Sequence, residues 1–363
     1  MHARWCWRER AGIPSMRVLM TGTDGYIGCV MADDLMRHGH EVIGVDTGFY
    51  RAGWLYSGLR DTPRTLVKDV RDITSADLDG VDAVVHLAEL SNDPVGQLNP
   101  EVTFEINHRG SVRLAKIARE AGVRRFVYMS SCSVYGVGSD EMLTESSPVN
   151  PQTAYAECKV RVEHDVGALA DDTFSPTFLR NATAYGASPR MRFDIVLNNL
   201  MGFAWTTREV RMSSDGTPWR PITHIRDTSN AVRLVIEAPP DLVTEQTFNV
   251  GSDAQNYRVR EIAEIVAAAV PGCTTSFGPP SPDNRSYRVS FAKISDRLGF
   301  TCAWDAEAGA SELATVFSAV DLSPELFRFR AFTRLDQLQY LLQTGQIDRD
   351  LRWNPLRTTA PVA

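Results

Sequence analysis

The sequence predicts an α/β protein: a doubly wound parallel sheet with a smaller, interwoven second domain toward the C-terminus. Three observations carry this. Short β-branched runs alternate with helical stretches at strand–helix–strand spacing through the first half. A glycine-rich turn joins the first run to the first helical stretch. The texture changes near Gly186, where Pro, Arg and Trp become frequent and strand signals thin out.

Taken in order, the runs 17–21, 41–45, 83–87 and 125–129 read as strands. Helical stretches at 27–38 and 102–121 lie between the first pair and the last pair. Further strands are read at 177–181 and 248–250. Residues 1–15 read as a loose extension, with Met16 as the natural start. Residues 16–185 form the expected sheet domain, to which 220–251 return. Residues 186–219 and 252–322 form the second domain. The tail 323–363 has apolar residues at mixed 3–4 spacing (Leu335, Leu338, Leu341, Leu342) and reads as helical.

Hydrophobic residues make up 43% and charged residues 23% of the 363, enough apolar matter for a large core. The net charge of −7 gives no field for nucleic acid or for an anionic membrane surface. An anionic ligand therefore needs a local basic pocket. No apolar run approaches a membrane span, and the N-terminus lacks the apolar stretch of a secretory signal. The six cysteines are scattered without a C-x-x-C pair or metal-like cluster, which points to a reduced, cytoplasmic setting and no metal.

The turn Gly22-Thr23-Asp24-Gly25-Tyr26-Ile27-Gly28 follows the first strand and opens the first helix. The first Gly permits the tight turn, the second lets backbone N–H groups approach a pyrophosphate, and the third lets helix pack on strand. The helix N-terminus then favours the phosphate charge. Asp46 ends the second strand roughly 20 residues beyond Gly28, where a carboxylate accepts from the ribose hydroxyls of NAD. It would repel the extra phosphate of NADP, and no Arg follows it directly. The bland reading of each feature is a plain tight turn and an exposed strand-end acid.

Tyr155 and Lys159 stand one helical turn apart, on one face. An ammonium beside a phenol favours the phenolate, which can take an alcohol's proton as hydride leaves the same carbon. Lys159 would also hold the nicotinamide ribose. Alone, such a pair is an ordinary helix motif. Its companion is the strand end Ser130-Ser131-Cys132-Ser133, whose hydroxyls point to the crevice where α/β sheets bind ligands.

In these motifs the chain resembles the extended short-chain dehydrogenase/reductase family, in its nucleotide-sugar epimerase/dehydratase branch, from Met16 to about Phe300. The resemblance implies a Rossmann domain that binds NAD through Gly22, Gly25, Tyr26, Ile27, Gly28, Asp46, Asp69, Val70, Leu87, Ala88, Asn107, Tyr155 and Lys159. It implies a catalytic Ser131–Tyr155–Lys159 triad. It implies a nucleotide-diphosphate sugar held by Ser133, Asn181, Asn199, Arg220 and Arg285, the two guanidiniums gripping the diphosphate. A homodimer formed through the helices at 102–121 and 154–169 is also implied.

Three residues depart from the family's pattern. Glu89 replaces the usual Ala after His86-Leu87-Ala88. Cys132 and Ser133 stand where dehydratases carry an acid and a base. Cys132 is read as a small buried filler. Without elimination residues, C4 epimerisation of the sugar is the expected reaction. The rival readings are a 4-dehydrogenase or ketoreductase, a dehydratase using Glu89, and a non-catalytic dinucleotide-binding regulator.

Overall fold

The computed structural model describes residues 15–91, 93–138, 141–280 and 286–355. Seven strands form the main sheet: β1 (Arg17–Thr21), β2 (Glu41–Asp46), β3 (Arg64–Val67), β4 (Ala83–His86), β5 (Arg125–Ser131), β6 (Ser175–Asn181) and β7 (Gln246–Val250). Their spatial order is β7-β6-β5-β4-β1-β2-β3, and every pairing is parallel. The order reverses on either side of β1, so a crevice opens beyond the carboxyl ends of β1 and β4.

Strand residues alternate between the two faces. Val18 and Met20 meet Met31 and Leu35 of the helix Gly28–Arg37, together with Val232 and Val235 of the helix Ile225–Glu237. Leu19, Val84 and Phe126 meet Leu114 and Ala115 of the helix Ser111–Glu120 and Val162 of the helix Ala154–Gly167. The strand β3 is not among the runs that read as strands in the sequence. It is a short edge strand, and Arg64 and Val67 at its ends are exposed, so it carries little apolar signal.

The helical stretch expected at 102–121 is a composite. It runs as Pro100–Thr103, a π-helical Phe104–Gly110 and Ser111–Glu120. The wider π turn carries Asn107, whose amide pairs with both backbone groups of Leu90, at 2.9 and 3.0 Å.

A second core gathers Tyr185, Phe193, Leu197, Met201, Ile262, Leu313 and Phe317 beside the carboxyl end of the sheet. A small sheet there pairs Trp219–His224 with Thr183–Tyr185 and with Asn256–Arg258. From this small sheet the chain runs into the helix Ile225–Glu237, which packs on the main sheet. The tail packs on the body: Leu338, Leu341, Ile347 and Leu351 join the core of the main sheet. Among the described residues, no helix is long and apolar enough to cross a membrane.

Candidate active site

The glycine turn has the geometry its sequence implies. Gly22 has φ +80°, and a Cβ there would sit 3.1 Å from the Ala88 nitrogen. A Cβ on Gly28 would lie 2.0 Å from the Gly22 carbonyl oxygen, an impossible approach. The opposite lip is held by a buried relay. Ser111 donates its hydroxyl proton to Asn107 O at 2.6 Å, so His86 Nε2 must be the donor to Ser111 at 2.8 Å. His86 Nδ1 then accepts from Thr21 Oγ1 at 2.7 Å. The same oxygen accepts from the N–H groups of Leu87 and Ala88 at 3.1 and 3.0 Å. Burial, then Lys159, lowers the His86 pKa to about 3, so the ring stays neutral.

Gly22, Gly25, Tyr26, Ile27, Gly28, Asp46, Asp69, Val70, Leu87 and Ala88 line one cleft. Asp46 accepts from Gly48 N at 2.7 Å and Asp24 N at 3.1 Å. Burial, then Asp24, raises its pKa to about 6. Asp69 is held by Arg71 at 2.7 Å. Tyr26 joins the cleft to the second core: its hydroxyl donates to Gly186 O at 2.7 Å and accepts from Asn198 at 3.0 Å. A glycine cradle that no side chain could share, facing an acid at the end of β2, fits a dinucleotide. Asn107 does not line this cleft. It acts through the backbone of Leu90, which does.

Three side chains, Ser131, Tyr155 and Lys159, meet beside the carboxyl end of β5; none of them lines the cleft itself, and Lys159 reaches its wall through Glu89. Thr153 caps the helix Ala154–Gly167, accepting from Ala156 N at 3.2 Å, and its own hydroxyl donates to Asp93 at 2.7 Å. This sets Tyr155 in the first turn, close enough to Ser131 at the end of β5 for the hydroxyl to favour the phenolate. Lys159, 3% exposed, has its ammonium 5.3 Å from the Tyr155 ring centroid and 4.5 Å from that of Tyr128.

Here the structure corrects one expectation. Lys159 makes a buried ion pair with Glu89 and donates to Met129 O, and Tyr128 donates to the same carboxylate. Burial raises the Tyr155 pKa. Lys159 opposes this, Glu89 adds to it, and the net direction is up rather than down. Burial pulls the Lys159 ammonium down, but Glu89 and Tyr155 outweigh it and hold it high.

A second cleft adjoins the triad, lined by Ser133, Thr183, Arg220, Tyr287, Asp93, Asp194 and Asp336 among others. The Ser133 hydroxyl and Asn181 Oδ1 are buried without a hydrogen-bond partner among the described residues, as groups awaiting a ligand would be. Arg220 donates to Trp219 O at 2.9 Å. Of the expected substrate residues, Asn181 and Asn199 do not line this cleft. Asn199 turns its amide to Phe193 O at 2.7 Å, and Arg285 lies outside the described residues. Cys132 faces away, its thiol on Arg180 O at 3.1 Å, with burial pushing its pKa up. Sequence reasoning missed Arg192 and Arg334, which line the dinucleotide cleft. No motif marks either one, and Arg334 reaches the cleft from the tail.

Residues 18–251 match the NAD dependent epimerase/dehydratase family. A UDP-glucose 4-epimerase of Mycolicibacterium smegmatis is 30% identical over 297 residues, 78% of this chain and 93% of that one. Two solved structures share the fold. One is TunA, an NAD-dependent NDP-hexosamine 5,6-dehydratase involved in tunicamycin biosynthesis (TM-score 0.74, 25% identity, 85% of this chain and 100% of that one). The other is MoeE5 in complex with UDP-glucuronic acid and NAD (TM-score 0.71, 28% identity, 84% and 99%). The dinucleotide that fits the glycine cradle is NAD, and the chain belongs to the NAD-dependent epimerase/dehydratase family.

Proposed function

We propose that this enzyme inverts C4 of a nucleotide-diphosphate sugar by oxidising the C4 hydroxyl and reducing the ketone from the other face. The carrying observation is a Ser131–Tyr155–Lys159 triad between two clefts, with neither Cys132 nor Ser133 able to supply the proton transfers of an elimination. Bound NAD supplies the hydride acceptor and, on return, the donor. Tyr155 takes the hydroxyl proton, with Ser131 donating to the sugar oxygen or to the phenolate. Lys159, held by Glu89, keeps a positive charge beside the phenolate in a dry site. Arg220 and Tyr287 receive the nucleotide-diphosphate end, and the unpartnered Ser133 and Asn181 atoms take sugar hydroxyls. Arg285 remains a candidate second phosphate ligand. The family's habit of pairing through the helices Ser111–Glu120 and Ala154–Gly167 supports a homodimer.

A second reading has its own support. Asp93 and Asp194 bring carboxylates into the substrate cleft, and Asp93 lies within electrostatic reach of Tyr155. Such acids could serve a dehydration that begins with the same oxidation. Proton NMR of the protein with catalytic NAD+ and UDP-, dTDP-, GDP- and CDP-sugars separates the two. A new diastereomer of unchanged mass supports the epimerase, whereas a deoxy or vinyl signal with loss of water supports the dehydratase.

A further inference from the structure

The dinucleotide cleft has a wall that the glycine turn does not supply. Arg334 opens the helix Arg334–Gln343 and is 4% exposed. Its guanidinium lies 3.9 Å from the Tyr50 ring centroid, and its backbone N–H donates to Asp194 Oδ2 at 3.2 Å. Among the described residues the guanidinium has no carboxylate in ion-pair contact. Neighbouring Arg192 does: Asp194 grips it through two contacts, at 2.8 and 3.1 Å. In the cluster Arg192–Asp194–Arg334 two guanidiniums that line the cleft therefore share one carboxylate in direct contact with Arg192 alone. A buried, unpaired cation is costly to the fold, so its retention points to an anionic ligand.

The position of the charge says which anion. Arg334 lies within electrostatic reach of Asp46, the acid at the ribose end of the cleft. Arg192 lies within reach of Tyr26 in the glycine turn and of Tyr155 at the reactive end. A dinucleotide with its adenosine ribose at Asp46 and its nicotinamide at Tyr155 lays its diphosphate along these two guanidiniums. The tail that carries Arg334 is fastened to the loop following β2. Gln337 donates to Phe49 O at 2.9 Å, and the Trp353 indole donates to Thr47 O at 2.7 Å. Arg352 closes on Asp69 at 3.5 Å. Thr47, Phe49 and Asp69 all line the cleft.

We propose that Arg334 grips the diphosphate of the bound dinucleotide from the side opposite the glycine turn, making the C-terminal segment part of the cofactor site. The proposal rests on the NAD reading above. The test is calorimetric titration of the full-length protein, stripped of nucleotide, with NAD+, ADP-ribose, adenosine and NADP+. Arg334→Gln should weaken NAD+ and ADP-ribose about 10- to 100-fold, the loss of one charge-assisted contact, and leave adenosine unchanged. Arg334→Lys, which keeps the charge but not the planar fork, should fall between. It also keeps the test open should the Gln variant fold poorly, with the melting temperature of each nucleotide-free variant reporting on folding.

Equal affinity of Arg334→Gln and wild type for NAD+ would overturn the proposal. So would an equal loss for adenosine, which marks a merely structural wall, or a loss confined to NADP+, which places the guanidinium at the ribose 2′ position. Wild-type protein that binds no NAD+ would instead sink the dinucleotide reading, and this proposal with it.

Discussion

Glu89 and Lys159 form a buried ion pair beside Tyr155, with side chains only 2% and 4% exposed. The pair gives the triad a fourth member. Glu89 fixes the ammonium in place, but its own charge works against the phenolate that the ammonium favours. The residues packed around this centre are Tyr128, Cys158, His86 and Asp93.

The first prediction follows from that opposition. Glu89→Gln removes a negative charge that raises the Tyr155 pKa, so the phenol should titrate at lower pH. The ascending limb of the pH–kcat profile should then move toward acid. A limb that stays in place, with only stability altered, would leave Glu89 a structural role.

Tyr155 is assigned the proton transfer itself. Tyr155→Phe should lower kcat about 100- to 10,000-fold while the variant still binds NAD. Near-wild-type turnover would remove Tyr155 from the mechanism.

Asp46 predicts opposite effects on binding and folding. Its pKa is raised to about 6, so ionisation at neutral pH opposes folding of the nucleotide-free protein. That penalty is absent below the ordinary carboxylate value near 4 and complete above pH 6. Asp46→Asn should therefore raise the apoprotein's melting temperature at pH 8, with the gain fading as pH falls from 6 to 4. The same variant should bind NAD+ about tenfold or more weakly, having lost a charged acceptor for the ribose.

Arg220 is assigned to substrate binding rather than chemistry. Arg220→Ala should raise KM for the nucleotide sugar about 10- to 100-fold, with a much smaller change in kcat. A fall in kcat at constant KM would mean that Arg220 acts on the reacting centre.

The parts legible in the sequence are those set by local rules. The glycine turn declares itself because no side chain fits at Gly28, and the Tyr155/Lys159 spacing because a helix fixes it. β3 was hidden because an edge strand needs no apolar face. Glu89 stood out as a departure, but its partner Lys159 lies on a distant helix, so the ion pair could not be read. The sequence reading expected Lys159 to lower the Tyr155 pKa because it counted one charge where the fold supplies two. Asn107 was found, yet its amide serves Leu90. Arg192 and Arg334 obey no local pattern, and tertiary packing alone brings them to the cleft.

The central claim is transient oxidation at C4 with return of the same hydride. It is tested most directly by turnover of a nucleotide sugar carrying deuterium at C4, in ordinary water, followed by NMR and mass spectrometry. The account predicts a 4-epimer that keeps its deuterium at C4 and its full mass. Loss of the label to water, or its appearance at another carbon with loss of a hydroxyl, would contradict it.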